Sequence, residues 1–111
     1  MEGNPVAGFL LALYGAPDDA DAFDTYYEAT HVPLAADIPG LRSFNISGGP
    51  VTGPDGAMVF HRAAVLTFDD LEAIKSGLAT PEGQATAADL AKFATGGVTL
   101  AMFEGKPITI E

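Results

Sequence analysis

Two kinds of hydrophobic pattern take turns along this chain, and the switches between them mark its elements. Residues 6–14 (VAGFLLALY) are apolar on both parities, as in a strand covered on both faces. Gly15, Pro17, Asp18 and Asp19 break the run, and Asp18, Asp19 or Asp21 can cap the next segment. In DAFDTYYEATHVPLAADIPG the residues Phe23, Tyr26, Tyr27, Thr30, Leu34 and Ile38 recur at helical spacing. They form a stripe roughly 140° wide with His31 on its rim. Pro33 lacks an amide hydrogen and crowds the Ala29 carbonyl, which predicts a kink or short break near Val32.

Pro39-Gly40 ends that helix, and residues 41–47 (LRSFNIS) read as a second strand. Residues 48–57 are dominated by Gly and Pro and read as a mobile hairpin loop. Residues 58–68 (MVFHRAAVLTF) read as a third strand, again apolar on both faces, with Asp69 or Asp70 starting a short helix. Thr80-Pro81 signals a further helix start leading into EGQATAADLAKFA, and Gly96-Gly97 stops it. Residues 98–104 (VTLAMFE) are the fourth strand, and the tail 106–111 can add an edge strand. The order strand, helix, strand, strand, helix, strand defines an α+β fold: a ferredoxin-like split βαβ with a four-stranded antiparallel sheet and helices on one face. Strands one, three and four carry apolar residues on both faces, yet the helices cover only one. A second copy of the same sheet is the simplest cover, so a homodimer is expected.

The chain has 111 residues, consistent with one domain over 1–111. Zero cysteines exclude a disulfide framework, a cysteine zinc site and thiol chemistry, and make the cytoplasm the default location. The start lacks a basic leader and its apolar run is too short to span a bilayer, so neither signal peptide nor membrane association is expected. Fifteen acidic against five basic residues give a net charge of -10, which repels nucleic acid and anionic lipid. Two histidines thirty residues apart match no metal-ligand spacing, so no metal is expected. The Gly-Gly pairs precede no phosphate-binding helix, and no nucleophile elbow is present.

His31 is the leading catalytic candidate, because an imidazole beside an apolar stripe can exchange a proton with a bound ligand. The competing reading is structural: the ring donates to a carbonyl that Pro33 leaves free. Tyr14, Tyr26 and Tyr27 carry phenols that could orient a carbonyl or stabilise an enolate, with Tyr27 favoured as one turn before His31. Arg42 could hold an anionic oxygen, although a salt bridge to a nearby acid competes. His61 is a further pocket candidate, with an interface or edge role as its alternative. Phe9, Leu11, Leu66, Met102 and Phe93 are candidate apolar walls, or simply core.

The stretch AFDTYYEATHVPLAADIPGLRSF, residues 22–44, resembles the EthD family of dimeric α+β-barrel proteins. Leu13-Tyr14-Gly15, Phe68-Asp69-Asp70-Leu71-Glu72-Ala73, Pro81-Glu82-Gly83-Gln84 and Asp89-Leu90-x-x-Phe93-Ala94 are similar to that family as well. The resemblance implies a ferredoxin-like monomer that pairs through its sheet, with a small-molecule pocket between sheet and helices onto which the matching histidine, His31, faces. It further implies a small apolar or aromatic ligand, no cofactor, and an isomerase, cyclase or related proton-transfer activity. A non-catalytic ligand-binding accessory role is the alternative. Superfamily analogy adds an oxygenase or haem-handling protein as a third reading.

Overall fold

A computed structural model describes residues 6–111. The expectation about a leader falls partly on residues 1–5, outside the described residues. The elements are β1 (Ala7–Tyr14), α1 (Ala20–Tyr26), a π-helical turn (Tyr27–His31), α2 (Val32–Ala36), β2 (Ser43–Ile46), β3 (Val51–Thr52), β4 (Met58–Phe60), β5 (Arg62–Phe68), α3 (Leu71–Ala79), α4 (Pro81–Phe93) and β6 (Val98–Gly105). The main sheet runs in the order β2-β5-β1-β6 with every neighbour antiparallel, the ferredoxin-like arrangement. Its helices lie on one face. No helix among the described residues is long and apolar enough to cross a membrane.

Local chemistry starts α1, α3 and α4 where the sequence places a cap. Asp19 accepts from the Ala22 amide at 3.0 Å, Asp70 from Ala73 at 2.8 Å and Thr80 from Gly83 at 3.0 Å. The corner between α3 and α4 is tight, since a Cβ on Gly83 would collide with the Gly77 carbonyl. That closeness brings the inner face of α4, with Gly83, Thr86, Asp89 and Phe93 buried, down toward the sheet.

Strict alternation along β1 and β5 sorts their side chains. Leu10, Ala12 and Tyr14, with Ala64, Leu66 and Phe68, are buried under the helices. An aromatic cluster closes this core at one end, with Tyr14 edge-on to Phe23 at 5.4 Å and Phe23 edge-on to Phe93 at 5.1 Å. The opposite face of the sheet carries Phe9, Leu11 and Leu13, their partners Ala63, Val65 and Thr67, and Thr99, Ala101 and Phe103 of β6. Ser43 and Asn45 complete it on β2. None of these eleven side chains is charged, in a chain with twenty charged residues.

Four expectations change. The predicted third strand is two strands: β4 pairs with β3 in a separate small hairpin, and the chain bends at His61, whose amide donates to the Tyr14 carbonyl, before β5 joins the main sheet. The Gly/Pro segment is therefore partly an ordered ladder rather than only a loop. The tail 106–111 adds no strand, and its Ile108 and Ile110 are exposed. Finally, His31 sits at the middle of the inner helix face rather than on its rim, while Thr30 is exposed and Leu34 half-buried. The π-helical turn explains this shift. It takes more residues per turn than the 3.6 of an α-helix, which keeps Phe23, Tyr27, His31 and Ala35, four residues apart, on one side. The break expected near Val32 takes this form, with the Val32 amide donating to the Tyr27 carbonyl five residues back.

Candidate functional site

Between the helices and the sheet lies a cavity of about 130 Å³. Leu10 and Ala12 of β1, Phe44 of β2, and Ala64 and Leu66 of β5 form its floor. Ala35 and Ile38 wall one side, and Leu78, Gly83, Ala87 and Leu90 wall the other. Leu100 of β6 lines it while remaining 54% exposed, which places the opening along that edge. Tyr14, Tyr27, His31 and Thr86 also line it, and its surface is almost entirely apolar. The Thr86 hydroxyl is already committed, donating to the Glu82 carbonyl at 2.9 Å.

His31 is held from behind by α4. Its Nδ1 lies 3.0 Å from Asp89 Oδ2, and the Tyr26 hydroxyl donates to Asp89 Oδ1 at 2.7 Å. Both members of the His31–Asp89 pair are buried, and Phe93 packs against the imidazole at 4.6 Å. Burial pushes the Asp89 carboxyl up, but the hydrogen bonds from Tyr26 and His31 outweigh it and hold the group below the usual carboxylate range. Burial lowers His31 from its ordinary 6.5, against the opposing pull of Asp89. At pH 7 the pair is thus an ionised carboxylate and a neutral imidazole. An ionised Asp89 can only accept, so Nδ1 carries the proton and Nε2 keeps its lone pair. Nε2 is the nitrogen left for a molecule in the cavity.

These shifts fix the sign of acid sensitivity. A histidine lowered in the folded state binds fewer protons there than in the unfolded chain, so its contribution to stability is complete above 6.5 and declines as pH falls below it. Asp89 adds a second loss below its unfolded value of 3.8. Melting temperature is expected to start falling below about pH 6.5, and His31→Gln should flatten that first limb; differential scanning fluorimetry across pH 4–8 measures both.

The two phenols are donors at neutral pH. Burial pushes Tyr27 up to about 12, although the Arg62 guanidinium, 5.1 Å above its ring, pulls the other way. Burial raises Tyr14 further, with Tyr27 and Asp89 adding to it. Tyr27 is wholly buried, and its hydroxyl has no hydrogen-bond partner among the described residues.

A model of the EthD domain matches residues 17–97, most of the chain. The chain belongs to the EthD family. This EthD protein is 39% identical over 92 residues to an uncharacterized 11.0 kDa protein in the thcB-thcC intergenic region of Rhodococcus erythropolis, covering 82% of this chain and 87% of that one. It is similar to the crystal structure of an EthD family protein from Bacillus halodurans C-125, with a TM-score of 0.81, 36% identity, and coverage of 92% of this chain and 99% of the other. A dimeric ferredoxin-like protein of unknown function from Thermobifida fusca, 19% identical with a TM-score of 0.59 over 93% of this chain and 94% of that one, shares the fold.

Of the polar residues singled out from sequence, the EthD fold brings His31, Tyr14 and Tyr27 together on one cavity, places Tyr26 behind it on Asp89, and leaves Arg42 and His61, with the apolar candidate Phe9, elsewhere. Phe9 lies on the open sheet face against Phe103, at 5.3 Å. Arg42 is exposed and paired with Asp69. Removing it should change stability by less than about 0.5 kcal/mol and leave ligand affinity unaltered, which denaturant melts and titration would check. His61 packs edge-on against Phe23 at 4.9 Å with Nε2 2.8 Å from Asp24. It shares that carboxylate with buried Arg62, which also reaches Glu28 at 3.0 Å. Leu66 lines the cavity, Phe93 backs it through His31, and Leu11 and Met102 do not line it. Sequence reasoning missed Asp89 as a site residue. Its signal was an acid at a core position of α4, three residues after Thr86 and four before Phe93, where a carboxylate needs buried donors. Among the described residues no cluster of three or more His, Cys, Asp or Glu is placed to hold a metal.

Proposed function

We propose that this EthD protein is a homodimer whose subunits each bind a small, mostly apolar molecule and catalyse proton transfer on it without a cofactor. His31 is the general base and then the general acid. The observation that carries this reading is His31 on the wall of an otherwise apolar cavity, held from behind by buried Asp89 at 3.0 Å from Nδ1, a contact that leaves Nε2 as the basic nitrogen. Nε2 takes a proton from a carbon next to the ligand's carbonyl, and the electron pair of the broken C–H bond moves onto the carbonyl oxygen. The imidazolium that forms is stabilised by the Asp89 carboxylate, and returning the proton to a different atom completes an isomerisation. The Tyr14 phenol, held neutral by burial and lining the cavity, is suited to steady the developing enolate.

A carrier needs the cavity but not the dyad. Holding an ionised carboxylate in the core costs desolvation, and a site that only binds gains nothing from it. No lysine or arginine lines the cavity to receive haem propionates, so it does not favour a haem-handling role. Pairing through the sheet is supported by the uncharged open face and by the dimeric description of the Thermobifida fusca structure. The test uses cyclohexanone as a probe in deuterated water. The protein should accelerate exchange of its α-hydrogens, and His31→Gln should remove at least about a hundredfold of that acceleration. Thermal stabilisation by cyclohexanone with no exchange above buffer would replace the enzyme by the carrier.

A further inference from the structure

Behind the cavity, one carboxylate is reached by two residues that an unbroken helix would keep apart. Tyr26 and His31 are five positions apart, and at about 100° per residue their side chains would point about 140° from each other around an α-helix. The π-helical turn Tyr27–His31 intervenes. Its wider turn, closed by a hydrogen bond five residues back, narrows that angle. Both side chains therefore reach Asp89 of α4: the Tyr26 hydroxyl donates to Oδ1 at 2.7 Å, and Nδ1 of His31 meets Oδ2 at 3.0 Å. Phe93 packs on both rings, stacked with Tyr26 at 5.5 Å and tilted on the imidazole at 4.6 Å. On its other side Tyr26 borders an open groove with Asp18, Asp19, Lys92 and Thr95, whereas Asp89 is buried. The phenol thus stands between the carboxylate and water.

We infer that Tyr26, which does not line the cavity, is a positioning residue for His31: its hydroxyl fixes the Asp89 carboxylate with Oδ2 on Nδ1 and draws off part of the charge that Asp89 would otherwise direct at the imidazole. This deepens the proposed function and rests on that same site. A carboxylate with one donor instead of two pulls harder on the imidazolium and keeps it protonated to higher pH. With Tyr26 in place, the imidazole is neutral, and Nε2 ready as a base, over a wider range. The other titratable and charged groups around the trio are Lys92 one turn along α4, Asp18 and Asp19 in the groove, and the phenols of Tyr14 and Tyr27, the latter under the Arg62 guanidinium. Among the described residues, Asp89 and His31 take their side-chain hydrogen bonds from Tyr26 and from each other, and from none of these groups.

Histidine NMR titration of the full chain tests this. Tyr26→Phe keeps the ring on Phe93 and deletes only the hydroxyl, so circular dichroism should be unchanged. The His31 midpoint should move up by about half a pH unit, and the acid limb of cyclohexanone α-hydrogen exchange should move with it. In the Asp89→Asn background the same substitution should leave the His31 midpoint in place, because Tyr26 acts through the carboxylate. A midpoint that does not rise in Tyr26→Phe, or that moves equally in both backgrounds as a packing change would make it, overturns the role. A second measurement needs no change at position 26. The Tyr26 phenol should titrate above its ordinary 10.0 in wild type, raised by its bond to Asp89, and lower in Asp89→Asn; an ordinary value in wild type also overturns the role. The titrations stand apart from turnover. Absence of cyclohexanone exchange in wild type sinks the proton-transfer reading while the midpoints still decide what Tyr26 does to His31, and exchange with unmoved midpoints sinks only Tyr26.

Discussion

Asp89→Asn should reduce α-hydrogen exchange on the order of a hundredfold or more while leaving cyclohexanone affinity within about twofold. The substitution keeps shape and hydrogen-bonding capacity but deletes the charge. In the native site Asp89 accepts from both Nδ1 of His31 and the Tyr26 hydroxyl. An asparagine offers one acceptor and one donor. If its oxygen faces His31, the tautomer survives, but the imidazolium formed during proton transfer has no counter-charge. If its amide faces His31, Nδ1 becomes the acceptor and Nε2 carries the hydrogen, so the base is absent altogether. Either orientation removes transition-state stabilisation without touching the cavity wall, since Asp89 does not line it. The pH dependence gives an independent readout. Activity needs unprotonated Nε2 and should rise through the lowered His31 value, reaching its plateau by pH 7. Losing the carboxylate removes the influence that raises His31, so imidazole NMR titration should show a further downward shift in Asp89→Asn. Asp89→Ala is a poorer probe: leaving buried His31 Nδ1 and the half-buried Tyr26 hydroxyl without their acceptor should cost about 1–3 kcal/mol and confound activity with folding.

The parts of this architecture legible in the sequence are those set by periodicity and local chemistry. The apolar run of β1, the acidic clusters that narrow the caps to Asp18, Asp19 or Asp21 and to Asp69 or Asp70, the Thr80 cap, and the stop at Pro39-Gly40 are short-range effects written in neighbouring residues. They define the order of the helices and of the four main-sheet strands, but not the separate β3–β4 hairpin. The phase of the first helix was not legible, because a π-helical turn adds a residue per turn and moves His31 inward, and a fixed 100° step does not anticipate it. The break at His61 was equally hidden. Residues 58–68 are uniformly strand-like, and only the competition between β3 and β1 for partners divides them. Within the site, His31 and Tyr27 declare themselves as polar groups near an apolar stripe. Asp89 does not, since one acid on a helix in a chain with fifteen reads as solvated until the fold shows what lies opposite. Arg42 illustrates the reverse: a rare cation looks selective in sequence, and the structure spends it on an exposed ion pair.

Leu11→Asp should convert a dimer into a folded monomer, with about a hundredfold or greater loss of association. Leu11 lies at the centre of the open sheet face, flanked by Val65 on β5 and Ala101 on β6. In an isolated subunit a carboxylate there would be bathed in water and cost little. In a sheet-to-sheet dimer the same carboxylate enters an apolar layer opposite uncharged residues, where no cation waits to pair with it. In the proposed dimer each copy carries -10, so association would work against long-range repulsion and depend on this face being free of charge. An interface of standard size needs about 800 Å² from each partner, and four strands with half-buried Phe9, Leu11 and Leu13 and 49%-exposed Phe103 offer a surface of that kind. Light scattering after gel filtration should give twice the chain mass for wild type and the single mass for Leu11→Asp, with circular dichroism unchanged. Raising salt should strengthen the wild-type dimer by screening the net charge, the opposite of what an interface built on ion pairs would do. A wild-type chain that stays single at micromolar concentration would remove the sheet-to-sheet dimer and leave the cavity to be explained within one subunit.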